Sequence, residues 1–244
     1  MKKWLAILLP EPVAGGAGPA IRAALGAILG LALTASISGA VTEAPGALLL
    51  MAPMGASAVL LFAVPASPLA QPWSILGGNI LAAIFGVAAA RYIANPLLAA
   101  PLAVGLAIAV GSMLRCLHPP SGAVALTAVL GGAEVRASGF DFVVVPVLLN
   151  SLLLTFAALV FNNLTGRSYP HRAHAPQHPH PLGREIILKD EDFQEVLDDY
   201  GERLDIHPQD LRKLYEELRG RAEARRAATA RARGIWRRQR LRRK

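Results

Sequence analysis

An otherwise apolar run from residue 96 to residue 132 is interrupted by the stretch Leu117-His118-Pro119-Pro120-Ser121-Gly122-Ala123-Val124-Ala125-Leu126. Two consecutive prolines break a regular helix, because each lacks a backbone N–H and its ring clashes with the preceding turn. A break inside a membrane leaves backbone groups unpaired, and it is tolerated only where protein or a water-lined cavity satisfies them. We therefore expect the function of the chain to be located near this break.

Charged residues are scarce in the part of the chain that surrounds this stretch. Between residues 21 and 166 the sequence contains only seven of them: Arg22, Glu43, Arg91, Arg115, Glu134, Arg136 and Asp141. The apolar blocks between them are about 20 residues long, the length at which a helix crosses a bilayer core of roughly 30 Å. The sequence therefore predicts an all-α fold, a polytopic bundle of membrane helices over residues 20–166.

Six apolar segments make up this membrane domain, at residues 21–41, 46–64, 74–92, 96–115, 118–132 and 142–163. The second segment contains Pro53-Met54-Gly55-Ala56-Ser57-Ala58-Val59-Leu60, which is similar to the stretch from Pro120 to Leu126 in the fifth. This similarity favours a three-plus-three internal repeat with broken helices, over residues 20–94 and 96–165. Chance similarity between helices rich in glycine and alanine is the alternative.

Basic residues flank the membrane domain on both sides: Lys2, Lys3, Arg22, Arg167, Arg172 and Arg184. Because cytoplasmic loops carry an excess of Lys and Arg, both termini are placed in the cytoplasm. The expected location is a bacterial plasma (inner) membrane. Six crossings would put Arg91 outside. Four crossings, with the two broken segments re-entrant, would put Arg91 inside and Arg115 outside, and the charges do not decide between these topologies.

The two broken segments predict an anion site. A helix that begins inside the membrane presents unpaired N–H groups and the positive end of its dipole. Glycines leave the backbone open to a ligand, serine hydroxyls are donors, and histidine adds a titratable donor. The candidate substrate-binding residues are His118, Pro119, Pro120, Ser121, Gly122, Pro53, Gly55 and Ser57. Weaker candidates are Asn79, Asn150, Asn162 and Asn163, of which the last two are expected at the membrane edge. The alternative is that the prolines and small residues only kink and pack helices.

Three separated motifs resemble the HPP family of integral membrane proteins. The first is Leu117-His118-Pro119-Pro120-Ser121-Gly122-Ala123, which is similar to the family signature. The second combines Ala52-Pro53-Met54-Gly55-Ala56-Ser57-Ala58-Val59-Leu60 with Ser67-Pro68-Leu69-Ala70-Gln71-Pro72. The third is similar to the closing pattern of the family and reads Asn163-Leu164-Thr165-Gly166-Arg167-Ser168-Tyr169-Pro170. The motifs occur in the order expected of the family.

The resemblance implies a transporter with four membrane spans. Plant and cyanobacterial members of the family are implicated in nitrite transport, so the resemblance implies a small monovalent anion as substrate, with nitrite as the leading candidate. Many relatives carry a histidine where this chain has Asn79, which leaves a second protonatable group in doubt. Bacterial relatives often continue into paired regulatory domains of the cystathionine-beta-synthase type, and we expect no nucleotide control by that route here.

Outside the membrane domain, the sequence predicts further regions of different character. Residues 1–19 are expected to lie at the membrane interface, with Trp4 as an anchor. Residues 167–184 contain four histidines within ten residues, which we interpret as a solvated His/Pro-rich linker rather than a metal site. Residues 185–218 show two amphipathic helical patterns, which predict a cytoplasmic helical hairpin.

Residues 219–244 form an Arg-rich tail, with twelve Lys or Arg against one Glu. Basic side chains beside a membrane are attracted to anionic lipids by about 1 kcal/mol each. RNA binding is the rival interpretation, but nucleic acid is not the expected partner. The candidate lipid-contacting residues are Arg225, Arg226, Arg231, Arg233, Arg237 and Arg238.

The leading functional hypothesis is a membrane transporter or channel for a small anion. The alternative is a non-transporting membrane anchor or sensor that acts through its cytoplasmic helices and basic tail. We do not expect an enzyme, because the sequence shows no nucleophile with a base, no metal cluster and no phosphate-binding loop. We expect neither a cofactor nor a metal. The sequence leaves the oligomeric state open, a homo-oligomer included.

Overall fold

The computed structural model describes residues 17–42 and 51–171, together with Leu211, residues 213–215 and residues 217–219. Those C-terminal residues are helical. Most of the interfacial segment, the His/Pro-rich linker after residue 171, the hairpin as a whole and the rest of the Arg-rich tail lie outside the described residues. The sequence-based interpretations of these regions stay predictions.

The described part of the chain is helical and contains no strand, which confirms the predicted all-α membrane fold. Its helices are α1 Gly18–Thr42, α2 Ala52–Ala63, α3 Pro72–Tyr92, α4 Pro96–Met113, α5 Pro120–Leu130, α6 Ala133–Ser138 and α7 Leu149–Leu164. A 3-10 turn, Pro68–Ala70, precedes α3, and a π-helical segment, Val143–Leu148, leads into α7. The last predicted apolar segment is thereby divided at Val145, whose backbone is not helical.

Prolines set the starts of four helices. They lie at the first or second helical position of α2, α3, α4 and α5: Pro53, Pro72, Pro96 and Pro120. A proline is tolerated there because the N–H that it lacks would have no partner within the helix. In α4 the Asn95 side chain adds a cap by accepting from Leu97 N at 3.0 Å. The sequence therefore encodes the point at which each of these helices begins.

Among the described residues, four helical segments are long and apolar enough to cross a membrane: Gly18–Val41, Pro72–Tyr92, Pro96–Met113 and Val143–Leu164. They expose large apolar side chains, including Leu29, Leu102 and Phe156, which form a surface suited to lipid. The helices α2 and α5 contain only 12 and 11 residues. Each is therefore about 17 Å long, which is shorter than a bilayer core of roughly 30 Å.

Hydrogen bonds fix the direction in which the helices run. Near the start of α1, Arg22 donates from Nη2 to Phe62 O at the end of α2, at 2.8 Å. Its Nη1 donates to Asn162 Oδ1 near the end of α7, at 2.9 Å. At the start of α3, Trp73 Nε1 donates to Leu114 O just after α4, at 3.1 Å. We call this side of the bundle the Arg22 end.

The helix α5 runs beside α3 in the same direction. The segment before α5 contacts α3 at Gly78, and α5 itself contacts α3 at Gly86. A Cβ atom at Gly86 would lie 2.6 Å from the Ala128 Cβ and 2.8 Å from the Ala125 carbonyl oxygen. The small residues of these helices therefore allow close approach, as is common between membrane helices.

The six predicted segments therefore alternate in direction. The loop 64–71 joins α2 to α3 at the Arg22 end, and α5 leads away from this end toward the last segment, which returns to it. Arg115 thus lies at the same end as Arg22 and Arg167, whereas Arg91 lies at the opposite end. In the described part of the chain, four of these segments are long and apolar enough to cross a membrane, and the other two, α2 and α5, are shorter apolar helices.

Candidate functional site

His118 is fully buried in the core of the bundle. It belongs to the segment 114–119, which turns back into the bundle after α4 and lies against α3. A Cβ atom at Gly78 would lie 2.7 Å from the Cys116 carbonyl oxygen and 2.9 Å from the His118 Cβ. The absence of a side chain at Gly77 and Gly78 therefore lets this segment approach α3 closely.

Both ring nitrogens of His118 have hydrogen-bond partners. Nδ1 lies 2.8 Å from the Leu69 carbonyl oxygen, and Nε2 lies 2.8 Å from Ser57 Oγ. Since a carbonyl oxygen only accepts, Nδ1 carries the proton of the neutral ring, and Nε2 accepts from the Ser57 hydroxyl. His118 therefore connects α2 and the loop 64–71 to the start of α5.

The first turn of α5 offers few free backbone donors. Pro119 and Pro120 carry no N–H. Ser121 N donates to the His118 carbonyl oxygen at 2.9 Å. Gly122 N donates to the Pro119 carbonyl oxygen at 3.2 Å. A ligand at this helix start would therefore be bound by side chains, such as the buried Ser121 hydroxyl, rather than by backbone N–H groups.

The start of α2 is similar. Pro53 carries no N–H, and Met54 N donates to the Met51 carbonyl oxygen at 2.9 Å. The residue of α2 that meets His118 is Ser57, which lies more than one helical turn beyond Pro53. Among the residues of the predicted site, the side chains of His118 and Ser57 are thus joined directly by a hydrogen bond.

The two glycines of the predicted site have open surroundings. A Cβ atom at Gly55 would have no neighbouring atom within 4 Å among the residues that the structure describes. A Cβ atom at Gly122 would meet Val104 Cγ1 at 3.8 Å, an ordinary van der Waals contact. Close packing of protein atoms therefore does not require a glycine at either position.

Asn79, one of the weaker candidates, is fully buried and follows directly on Gly78. Its Nδ2 donates to Ser151 Oγ in α7 at 3.0 Å. Within the described part of the chain, Asn79 Oδ1 has no hydrogen-bond partner, and neither has Thr155 Oγ1, one turn along α7 from Ser151. Buried polar atoms without a partner are rare in folded proteins, so each of these two oxygens marks a position where a small polar ligand or a water molecule can bind.

A further buried polar pair adjoins Ser151. Ser38 in α1 donates to Asn150 Oδ1 in α7. Asn150 precedes Ser151 in sequence, and Gly78, which contacts His118, precedes Asn79. The polar series is our name for three hydrogen-bonded pairs that adjoin one another in this way, formed by six residues each at most 1% exposed: Ser38, Asn150, Ser151, Asn79, His118 and Ser57.

The loop 64–71 connects His118 to the segment that follows α7. Leu69 O accepts from His118 Nδ1, and the next carbonyl, Ala70 O, accepts from Tyr169 Oη at 2.7 Å. Burial raises the pKa of the Tyr169 phenol, so that the phenol stays protonated and donates to Ala70 O. The exit of the chain from the membrane domain is thereby tied to the loop that orients His118.

Three partners in this site were not predicted from the sequence: Leu69, Ser151 and Ser38. Leu69 acts through its carbonyl group, which every residue carries, so the sequence holds no signal for it. Asn150 and Ser151 are neighbouring polar residues inside an apolar segment, and that contrast is the signal by which Ser151 could have been found.

The membrane domain matches known proteins. The family described as HPP, transmembrane region, matches residues 13–170. A transmembrane protein of Dictyostelium discoideum is 44% identical over 126 residues, which cover 50% of this chain and 44% of the relative. A second transmembrane protein of Dictyostelium discoideum is 38% identical over 151 residues, which cover 60% of this chain and 48% of the relative.

The similarity to these relatives covers only part of each protein. The chain spans about half the length of the curated relatives that it matches. No solved structure matches it. The family match covers more than half of the chain and includes the break at His118 and the closing motif at residues 163–170. The chain belongs to the HPP transmembrane family.

Proposed function

We propose that this membrane protein is a transporter or channel for a small monovalent anion, with His118 and Ser57 at its binding site. Nitrite is the leading candidate substrate, by resemblance to other members of the family. The observation that carries the proposal is the burial of His118, an ionisable side chain, among described core residues whose other polar side chains are chiefly hydroxyls and amides. An ionisable residue at membrane depth is expensive to retain, and it is a functional candidate for that reason.

The hydrogen bonds of His118 support the proposal, because one of them can be reversed. In the neutral ring, Nε2 accepts from the Ser57 hydroxyl. When Nε2 is protonated it becomes a donor, and the Ser57 hydroxyl is free to donate to another group. The bond from Nδ1 to Leu69 O exists in both states and keeps the ring in place. Protonation thus creates a positive charge and frees the Ser57 hydroxyl as a donor for an anion.

A protonated His118 and an anion would stabilise each other in this site. Each ion alone loses several kcal/mol of hydration free energy on burial in a protein core. The surrounding elements α2, α3 and α5 and the loop 64–71 contain no Asp or Glu that could neutralise an imidazolium. An anion that binds together with a proton on His118 removes much of this unfavourable free energy, which favours a small anion as the ligand.

Anion uptake by proteoliposomes tests the proposal. Vesicles that contain the purified full-length protein are expected to take up nitrite faster than protein-free vesicles, which measure passive permeation of the undissociated acid. Competition with formate, nitrate and chloride then ranks the accepted anions. Uptake of every anion at the rate of protein-free vesicles would overturn the proposal and favour the anchor or sensor hypothesis.

The proposed location is a bacterial plasma membrane with the Arg22 end, and hence both termini, in the cytoplasm. The presence of Arg22, Arg115 and Arg167 at this end supports the orientation, because cytoplasmic flanks are rich in basic residues. A membrane-impermeant thiol reagent applied to intact cells is expected to label Tyr92→Cys and not Ser168→Cys. The native Cys116 is buried and gives a low background. Labelling of Ser168→Cys alone would reverse the orientation.

A further inference from the structure

Beyond His118, the polar series enters a part of the core that holds no charge. Its other members carry only hydroxyl and amide groups. The helices α2, α5 and α7, and α3 up to residue 90, contain no Asp, Glu, Lys, Arg or His. Hydrogen bonds to hydroxyl and amide groups compensate a neutral polar molecule for the water contacts that it loses on burial. They compensate an ion poorly, because an ion loses far more hydration free energy. A solute that moves along the series past His118 is therefore best accommodated without a net charge.

Two oxygen atoms in this neutral part are buried and without a partner among the described residues, Asn79 Oδ1 and Thr155 Oγ1. Asn79 Nδ2 already donates to Ser151 Oγ, so the free atom of this amide is an acceptor. Thr155 lies one turn from Ser151 on the same face of α7, and its hydroxyl can donate. A passing molecule with an O–H group can donate to Asn79 Oδ1, and one with an acceptor oxygen can accept from the Thr155 hydroxyl. The neutral form of a small oxyacid has both groups.

We infer that the transported anion passes Asn79 and Thr155 as its neutral acid, after it has received a proton from His118. This inference rests on the proposed function. It assigns the substrates to one chemical class, the conjugate bases of weak oxyacids, of which nitrite and formate are examples. Chloride and nitrate are conjugate bases of strong acids, do not retain the proton, and are therefore excluded as substrates.

The proton transfer needs no further reactant. The Nε2–H bond of the His118 imidazolium breaks as its proton passes to Ser57 Oγ, and the Ser57 O–H bond breaks as its own proton passes to the anion. Neutral imidazole, serine and the neutral acid remain. Nε2 then accepts from the Ser57 hydroxyl again, as it does in the structure. Water on the entry side supplies the next proton to His118, and the acid releases its proton to water on the exit side. One proton and one anion cross together, so that no net charge moves.

His118 is the group from which a pH dependence of transport is expected. Its own segment carries Arg115, which is exposed, and Cys116, which is buried. Tyr169 is reached through the loop before α3. The helix α1 contributes Arg22 at its start. No titratable side chain is present in α2, in α5, in the loop 64–71 or in α3 up to residue 90. Faster uptake at acidic pH on the entry side is the expected result.

Proteoliposomes with the full-length protein distinguish this inference from the proposed function. A pH gradient, acidic outside, is expected to drive uptake of nitrite and formate with matching internal acidification. A membrane potential, positive inside and set with potassium and valinomycin, is expected to have no effect. Nitrate and chloride are expected to enter at the rate of protein-free vesicles.

Two other outcomes of this experiment have separate meanings. Nitrite uptake that follows the potential, or nitrate uptake as fast as nitrite uptake, would overturn the inference and leave anion transport standing. No uptake of any anion above that of protein-free vesicles would overturn the proposed function as well.

The variant Thr155→Val tests whether the Thr155 hydroxyl contacts the neutral acid as it passes. Valine has the shape of threonine without the hydroxyl, so a purely structural role predicts unchanged or raised thermal stability and unchanged uptake. The inference predicts a folded protein whose nitrite uptake is reduced by about fivefold, the effect of one neutral hydrogen bond. Thr34→Val is the matched control, because Thr34 is also buried but its Oγ1 donates to Gly30 O at 2.8 Å. Equal uptake by the two variants would contradict the role of Thr155.

Discussion

The two short helices begin with similar sequences but have different chemical surroundings. When α2 and α5 are aligned on their prolines, His118 corresponds to Met51, and Ser57 corresponds to Val124. Met51 and Val124 are buried in the apolar core. His118 and Ser57 are buried as a hydrogen-bonded pair. One pair of positions is therefore polar, and the corresponding pair is apolar.

This difference distinguishes the residues that set the backbone at the start of each short helix from the residues that form the candidate binding site. Both short helices start at buried prolines and carry a glycine two residues later, at Gly55 and Gly122. These shared residues set the backbone. The polar pair consists of one residue from each half, Ser57 and His118. The other half has an apolar residue at each of these two positions. Side chains that the two halves do not share therefore form the candidate site.

Replacing His118 by methionine makes this position like its counterpart, Met51. Nitrite uptake is expected to fall to the rate of protein-free vesicles, because the titratable ring and both of its hydrogen bonds are lost. The Leu69 carbonyl also loses its donor, which lowers the free energy of unfolding by about 1–3 kcal/mol. His118→Asn keeps a donor at the Nδ1 position and is expected to restore stability without uptake. Uptake at the wild-type rate in either variant would contradict the role of His118.

Ser57→Val removes the hydrogen-bond partner of His118 Nε2 and makes α2 like α5 at this position. We expect uptake to fall about tenfold, since a hydrogen bond to a charged group contributes about 1.5–3 kcal/mol. The reciprocal variant, Val124→Ser, buries a hydroxyl in the apolar core and lowers stability by about 1–3 kcal/mol. Its uptake per folded molecule is expected to be unchanged. An equal loss of uptake in the two variants would show that the polar pair has no special role.

Gly78→Ala tests the contact between α3 and the segment that carries His118. The new Cβ would lie 2.7 Å from the Cys116 carbonyl oxygen, so the segment must move, at about 1–3 kcal/mol of stability. Uptake is expected to fall as well. Gly86→Ala is the matched control, since its Cβ would lie 2.8 Å from the Ala125 carbonyl oxygen, away from His118. A larger loss of uptake in Gly86→Ala than in Gly78→Ala would argue against a role of the contact at Gly78 in positioning His118.

The smallest effects are expected for Gly55→Ala and Gly122→Ala. Both glycines lie in helices and have room for a methyl group, so alanine is expected to raise stability by up to about 1 kcal/mol. Uptake is expected to stay at the wild-type rate, because the proposed site binds the anion through side chains rather than through the helix starts. Stable variants that lose uptake would instead support the helix-start site that the sequence predicts.

Local features made much of the fold predictable. The scarcity of charge and the length of the apolar segments indicate membrane helices, and the prolines mark where four of them begin. The direction of the short helices could not be predicted, because it depends on contacts between distant residues. Arg22, for example, bonds to Phe62 and to Asn162, which are 40 and 140 positions away.

The candidate site was predictable only in its residue types. His118 and Ser57 stand out as polar residues beside breaks in apolar segments, but the sequence gives no sign that they are in contact across 61 positions. The hydrogen bonds that occupy Ser121 N and Gly122 N also depend on the exact turn formed after the prolines. For that reason the sequence suggested backbone donors at a place where the folded chain presents side chains.

Thermal unfolding of the full-length protein in detergent, at increasing nitrite concentration, tests whether a small anion binds at His118. A ligand that binds only the folded protein stabilises it by about 2.7 kcal/mol at a hundredfold excess over Kd. We expect nitrite to raise the unfolding temperature of the wild type, more at acidic than at alkaline pH, and to leave that of His118→Asn unchanged. Chloride at equal concentration controls for ionic strength. An equal rise in the wild type and in His118→Asn would show that nitrite binds elsewhere.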